Sequence, residues 1–270
     1  MHEITPKVVR TGTLIEFKQE GRKFSCLTSY DSLTSGIFDE AGIDVILVGD
    51  SAADNVLGYE TTLPITIDEM IPFGRAVSRA AKRALVVVDM PFGSYETGPE
   101  DALTNAIKLM KLSGASAVKL EGGIRSVAQI KALVTAGIPV MAHIGFTPQS
   151  VHSLSGAKVQ GRGNSAQDLI DDALAVQEAG AFSVVLELVP AKLASEVTER
   201  LNIPTIGIGA GSGTDGQILV WTDFAGLYPG KPRKLVKQYA DMRSALLSAA
   251  ATYRNEVAEG VFPNDANSHD

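Results

Sequence analysis

The sequence predicts a closed (β/α)8 barrel of the TIM type, followed by a helical extension at its carboxyl end. Three observations carry that expectation. Eight short runs rich in β-branched residues recur along the chain and are apolar at nearly every position, as strands buried on both faces of a parallel sheet are. Helix-like stretches separate the runs, and Ala41-Gly42, Ser113-Gly114, Ala136-Gly137 and Ala179-Gly180 each stand just before one, where a glycine in the left-handed conformation ends a helix. The length, 270 residues, suits one barrel, and no Pro- or Gly/Ser-rich linker divides it. An open doubly wound sheet would produce the same local signals; strand count and length favour the barrel.

In chain order, strands are expected at 24–29, 44–48, 85–88, 117–120, 139–142, 183–188 and 204–208, with a weaker eighth at 218–221. Helices are expected at 66–82, 99–112, 124–135, 166–179 and 191–201. The last, 234–259, is the clearest: Leu235, Tyr239, Met242, Leu246, Tyr253 and Val257 recur mostly three or four apart, an amphipathic stripe. The whole chain, 1–270, reads as a single barrel domain carrying this helix. The irregular stretches 145–163 and 209–216 are the loops in which function is expected.

Composition excludes several classes. Hydrophobic residues at 45% and charged residues at 20% exclude intrinsic disorder. A net charge of −7 lacks the basic footprint of a nucleic-acid binder. Cys26 is the sole cysteine, so neither an intramolecular disulfide nor a zinc–thiolate cluster can form. No run approaches the ~20 apolar residues that span a bilayer. Residues 1–10 carry no apolar core, and a cytoplasmic enzyme is expected.

Polar residues close strand after strand. Asp50 follows the second, Asp89 the third, Glu121 the fourth and His143 the fifth, while Glu187 sits within Val-Val-Leu-Glu-Leu-Val of the sixth. One such residue reads equally well as a cap or an ion-pair member. Five in succession do not, because in a barrel the carboxyl ends of all strands converge on the face where active sites lie. Asp50, Asp89 and Glu121 offer only oxygen ligands, which suits a hard cation, Mg²⁺ before Mn²⁺ or Ca²⁺. Three carboxylates exceed what Mg²⁺ ordinarily takes, so some would act through water. Lys119, two residues before Glu121, shares its face and would neutralise an anionic substrate or pair locally. Glu187, desolvated among valines and leucines, is the candidate general base. His143 is expected to contact substrate. The G-x-G-x-x-G of Gly211 to Gly216 precedes β-prone residues, and so reads as a close-approach loop, with an anion as a candidate contact, and not as a dinucleotide fingerprint.

Taken in order, Val48-Gly49-Asp50-Ser51, Thr61-Thr62-Leu63-Pro64-Ile65-Thr66, Val88-Asp89-Met90-Pro91-Phe92, Val118-Lys119-Leu120-Glu121-Gly122-Gly123, His143-Ile144-Gly145-Phe146-Thr147-Pro148-Gln149-Ser150, Lys158-Val159-Gln160-Gly161-Arg162, Leu186-Glu187 and Ile206-Gly207-Ile208-Gly209-Ala210-Gly211 form a set. That set resembles the ketopantoate hydroxymethyltransferase family over nearly the whole chain. The resemblance implies a barrel of the phosphoenolpyruvate mutase and isocitrate lyase type. It implies transfer of a one-carbon unit from 5,10-methylenetetrahydrofolate to 3-methyl-2-oxobutanoate, giving 2-dehydropantoate for pantothenate synthesis, through an enolate stabilised by Mg²⁺. By motif, Asp50, Asp89 and Glu121 are the metal-site acids. Asp50, Ser51, Asp89, Lys119 and His143 contact substrate, and Glu187 accepts the proton. The resemblance also implies a homo-oligomer, a decamer, with the 234–259 helix at a subunit interface. Where the family commonly has Gly before the histidine, an aromatic before Lys-Val-Gln-Gly-Arg and a His-Asp pair near the eighth strand, this chain has Ala142, Ala157 and Thr222. Three rival readings fit the residues less well. A related lyase would want a cysteine in an active-site loop, whereas Cys26 lies in the first apolar run. An oxidoreductase would use Gly211 to Gly216 to bind NAD. A non-catalytic binder would have no reason to bury Glu187 near a metal set.

Overall fold

The computed structural model describes residues 7–269. The expectations for residues 1–6 lie outside the described residues. Eight strands, β1 (Phe24–Thr28), β2 (Val45–Val48), β3 (Leu85–Asp89), β4 (Ala117–Glu121), β5 (Val140–Gly145), β6 (Ser183–Glu187), β7 (Thr205–Ile208) and β8 (Gly216–Leu219), pair in sequence order. All pairs are parallel, and β1 joins β8 to close the barrel. The helices are α1 (Thr11–Gln19), α2 (Ser32–Glu40), α3 (Ala52–Asn55), α4 (Ile67–Ala80), α5 (Pro99–Ser113), α6 (Val127–Thr135), α7 (Ser165–Glu178), α8 (Ala191–Arg200), α9 (Trp221–Phe224) and α10 (Met242–Glu259). The described residues form two compact units, divided after Val220.

Alternation along each strand decides what the barrel contains. Phe24, Cys26, Val45, Leu47, Leu85, Val87, Ala117, Met141, Val185, Ile206 and Ile218 form one buried cluster. Val9 and, from α1, Leu14 and Phe17 join it and seal the amino-terminal end. Residues two further along a strand share its face. Asp89 follows Val87, Lys119 and Glu121 follow Ala117, His143 follows Met141, and Glu187 follows Val185. The apolar floor therefore carries a polar layer above it, at the strands' carboxyl ends.

The last strand departs from expectation. It begins at Gly216, inside the glycine motif, and Trp221 already starts α9. No helix links β7 to β8; residues 209–215 make that crossover in turns. A Cβ at Gly211 or Gly213 would run into Ala191 or Ser195 of α8, and one at Gly216 into the Phe24 ring. The close approach foreseen for this loop is thus to the chain's own α8 and core, and the glycines serve packing. In the second unit α10 starts at Met242, eight residues later than the stripe suggested. Asp241 accepts from Ser244 N–H and caps it there.

Candidate active site

Asp50, just beyond β2, is tied to β3 because its backbone N–H donates to Asp89 Oδ2 at 2.9 Å. Lys119 Nζ lies 2.8 Å from Asp89 Oδ1, an ion pair without hydrogen-bond alignment, its side chain only 5% exposed. His143 stands between two carboxylates, with Nδ1 3.3 Å from Glu121 Oε1 and Nε2 3.3 Å from Glu187 Oε2. Asp50, Asp89, Lys119, Glu121 and His143 are all buried. Glu187 is less buried than its apolar neighbours suggested: as the last residue of β6 it reaches the rim, and its side chain is 18% exposed. Leu188, at φ 50°, ends the strand there. Ser51 lies one residue beyond Asp50, its hydroxyl 2.7 Å from that of Tyr30. Cys26 stays in the apolar floor, away from any loop.

Four carboxylates, Asp50, Asp89, Glu121 and Glu187, thus face two cationic side chains, Lys119 and His143. Fully ionised, the cluster carries two negative charges in excess. That excess shifts the ionisation equilibria of the cluster. Burial, then Asp89 and Glu121, push the Asp50 carboxyl up to about 8, against the pull of Lys119 and the Gln149 hydrogen bond. Burial raises Asp89 as well, although Lys119 opposes it. Burial disfavours charge on Lys119, but Asp89, Glu121 and Asp50 outweigh it and hold the ammonium above its ordinary range. Burial and the Lys119 charge likewise disfavour the His143 imidazolium; the Glu121 and Glu187 carboxylates prevail and push it up to about 9. Lys119 Nζ also approaches His143 Nδ1 at 3.3 Å. Burial also opposes ionisation of Glu121, but His143, then Lys119, hold it below the usual carboxylate range.

A hard divalent cation fits this site. The donors are oxygens and the excess charge is of the right size; Asp89 Oδ1 and Glu121 Oε1, buried without an aligned hydrogen bond, face only the nitrogens of Lys119 and His143. No preformed cage exists: among the described residues, no group of three or more His, Cys, Asp or Glu side chains is gathered to hold a metal. That suits an ion completed by water and substrate oxygens.

Two neutral residues that the motifs left without a role complete the layer. Gln149 and Tyr95 are buried among the acids and bonded to them. A cavity of about 350 Å³ opens between the ends of β4 and β5 and α7, with Arg125, Thr147, Gln160, Asp168 and Asp172 in its lining and none of the mouth acids, Lys119 or His143. Gly145, at φ 90°, lets the chain leave β5 here; a side chain at that position would strike the Glu187 carbonyl.

A parallel eight-stranded barrel with a buried acid–lysine–histidine layer at its carboxyl mouth defines a (β/α)8 barrel protein with a candidate active site at that mouth. Solved structures agree with that fold. A 2,3-dimethylmalate lyase, itself a member of the PEP mutase/isocitrate lyase superfamily, superimposes with TM-score 0.60 at 16% identity, covering 97% of this chain and 92% of the other. A phosphonopyruvate hydrolase in complex with oxalate and Mg⁺⁺ does so with TM-score 0.60 at 13% identity, with the same coverage. The family model for ketopantoate hydroxymethyltransferase matches residues 8–265, and the chain belongs to that family. It is 62% identical over 264 residues to a 3-methyl-2-oxobutanoate hydroxymethyltransferase of Leifsonia xyli subsp. xyli, covering 98% of this chain and 95% of the relative. It is 56% identical over 269 residues to one of Corynebacterium efficiens, covering the full length of both. The chain is thus a transferase.

Proposed function

We propose that this transferase moves the one-carbon unit of 5,10-methylenetetrahydrofolate, with one water supplying the hydroxyl, to C3 of 3-methyl-2-oxobutanoate as a hydroxymethyl group, giving 2-dehydropantoate for pantothenate synthesis and tetrahydrofolate in the cytoplasm. The observation that carries the reading is the mouth cluster itself: buried acids that, fully ionised, outnumber the cations by two, and a carboxylate base, Glu187, at its open edge. Mg²⁺ would be held by Asp50 and Asp89, with Glu121 acting through water. When bound it supplies Lewis acidity that polarises the keto group and acidifies the C3 hydrogen. The Mg⁺⁺ of the phosphonopyruvate hydrolase supports that choice at the level of fold only.

The chain's own residues divide the remaining work. Lys119 supplies a fixed positive charge beside Asp89 for the substrate's anionic oxygens. Ser51, next to Asp50, offers a hydroxyl at the rim. Glu187 removes the C3 proton, and His143, 3.3 Å from it, carries the positive charge that offsets the developing oxyanion. The exposed apolar residues of α10, Leu246, Leu247 and Val257 among them, are taken as a subunit interface of a homo-oligomer.

The test is proton exchange. 3-Methyl-2-oxobutanoate incubated with enzyme and Mg²⁺ in D₂O should lose its C3 proton signal by NMR without any folate. Glu187→Gln should slow that loss about 10²–10⁴-fold. No exchange by the wild-type enzyme would overturn the reading; exchange within a few-fold in the variant would move the base elsewhere.

A further inference from the structure

We infer that Gln149 is a positioning residue of the cation site, holding Asp50 and Glu121 in one arrangement from a loop that itself supplies no charge. Its side-chain Nε2 donates to Asp50 Oδ2 at 2.9 Å and to the Met90 carbonyl at 3.1 Å. Its backbone N–H donates to Glu121 Oε2 at 3.0 Å. One residue after β5 thereby reaches the carboxyl ends of β2, β3 and β4. The two ends of its amide are not interchangeable. The Tyr95 hydroxyl donates to Gln149 Oε1 at 2.5 Å, which leaves Nε2 turned toward Asp50. Tyr95 in turn accepts the Glu121 backbone N–H at 3.2 Å. The ring of contacts from Glu121 through Tyr95 and Gln149 to Asp50 is buried throughout.

Each acid has two oxygens, and this ring engages one of each pair. Gln149 takes Asp50 Oδ2 and Glu121 Oε2, and Asp50 N–H takes Asp89 Oδ2. The remaining oxygens of two of these acids face cations: Asp89 Oδ1 lies 2.8 Å from Lys119 Nζ, and Glu121 Oε1 lies 3.3 Å from His143 Nδ1. Such partners orient ligands in metal sites, and their loss typically weakens metal affinity about 10–100-fold. The inference rests on the reading of Asp50 and Asp89 as the cation-holding acids.

The experiment measures Mn²⁺ binding to the cation-stripped full-length protein by electron paramagnetic resonance, so turnover is not needed. Gln149→Ala removes the side-chain amide and keeps the backbone N–H. It should raise the Mn²⁺ dissociation constant about tenfold or more, while the melting temperature without cation moves little. Tyr95→Phe, which keeps the ring and frees the amide, should weaken Mn²⁺ binding in the same direction, and the double variant should be little worse than Gln149→Ala alone. Asp89→Asn is the control on the underlying reading. Unchanged Mn²⁺ affinity in Gln149→Ala, alongside weakened binding in Asp89→Asn, overturns the positioning role alone. Unchanged affinity in both overturns the cation site. If Gln149→Ala fails to fold, Tyr95→Phe decides: weakened Mn²⁺ binding at wild-type melting temperature supports the role, and wild-type binding refutes it.

Discussion

Lys119 illustrates how one buried charge is held by its surroundings. It neutralises Asp89 directly and offsets Asp50 and Glu121. Lys119→Met keeps much of the side chain's volume and leaves those carboxylates without their fixed cation. Breaking a buried pair in this way costs about 3–5 kcal/mol, to be read from urea unfolding at pH 8. Added Mg²⁺ should raise the variant's melting temperature more than the wild type's, because more uncompensated negative charge awaits it. The acids, Lys119, His143 and Glu187 were legible in the sequence because charged residues at the ends of apolar strands are costly to bury without a purpose. Gln149 and Tyr95 were not. Neutral polar residues in a loop follow no period, and their value lies in contacts across strands far apart in the chain. Glu187 was placed too deep, because its apolar neighbours flank it along the strand whereas its own side chain points to the open mouth.

At the scale of elements, apolar runs located all eight strands, since parallel strands buried on both faces have no polar alternation to blur them. Boundaries failed where glycine served packing in place of a turn, as in the passage into β8. Helix α4 starts where a capping box reads plainly: Thr66 Oγ1 accepts from Glu69 N–H, and Glu69 Oε2 accepts from Thr66 N–H at 2.8 Å. The Tyr59 hydroxyl donates to Glu69 Oε1 at 2.6 Å and, ahead of the Thr66 bonds, holds this carboxyl below its ordinary value. A carboxyl whose pKa is lower folded than unfolded contributes its full stability above the unfolded value. It loses that contribution as pH falls through the folded one. Thermal unfolding between pH 6 and pH 3 should therefore show a smaller acid-induced drop in Glu69→Gln than in the parent. Equal drops would assign the acid sensitivity to other carboxylates.

Across the molecule, α10 has no buried residue, and Met242, Leu246, Leu247 and Val257 are exposed along it. An apolar face of that kind is ordinarily covered by a partner. Leu246→Asp with Val257→Asp should yield smaller species by light scattering with unchanged helical circular dichroism; a wild-type monomer at micromolar concentration would refute the oligomer. Closure of the sheet has a consequence in time. Strand β1 is synthesised before the other seven strands, and one of its two ladders waits for β8. At about 5–20 residues per second, roughly ten seconds or more of translation separate the two partners. Throughout that interval β1 presents an open edge to any neighbouring strand. A ribosome stalled with residue 215 just clear of the exit tunnel would hold a chain with two open edges, at β1 and β7, and protease sensitivity at both should disappear once residues 216–219 have also cleared it.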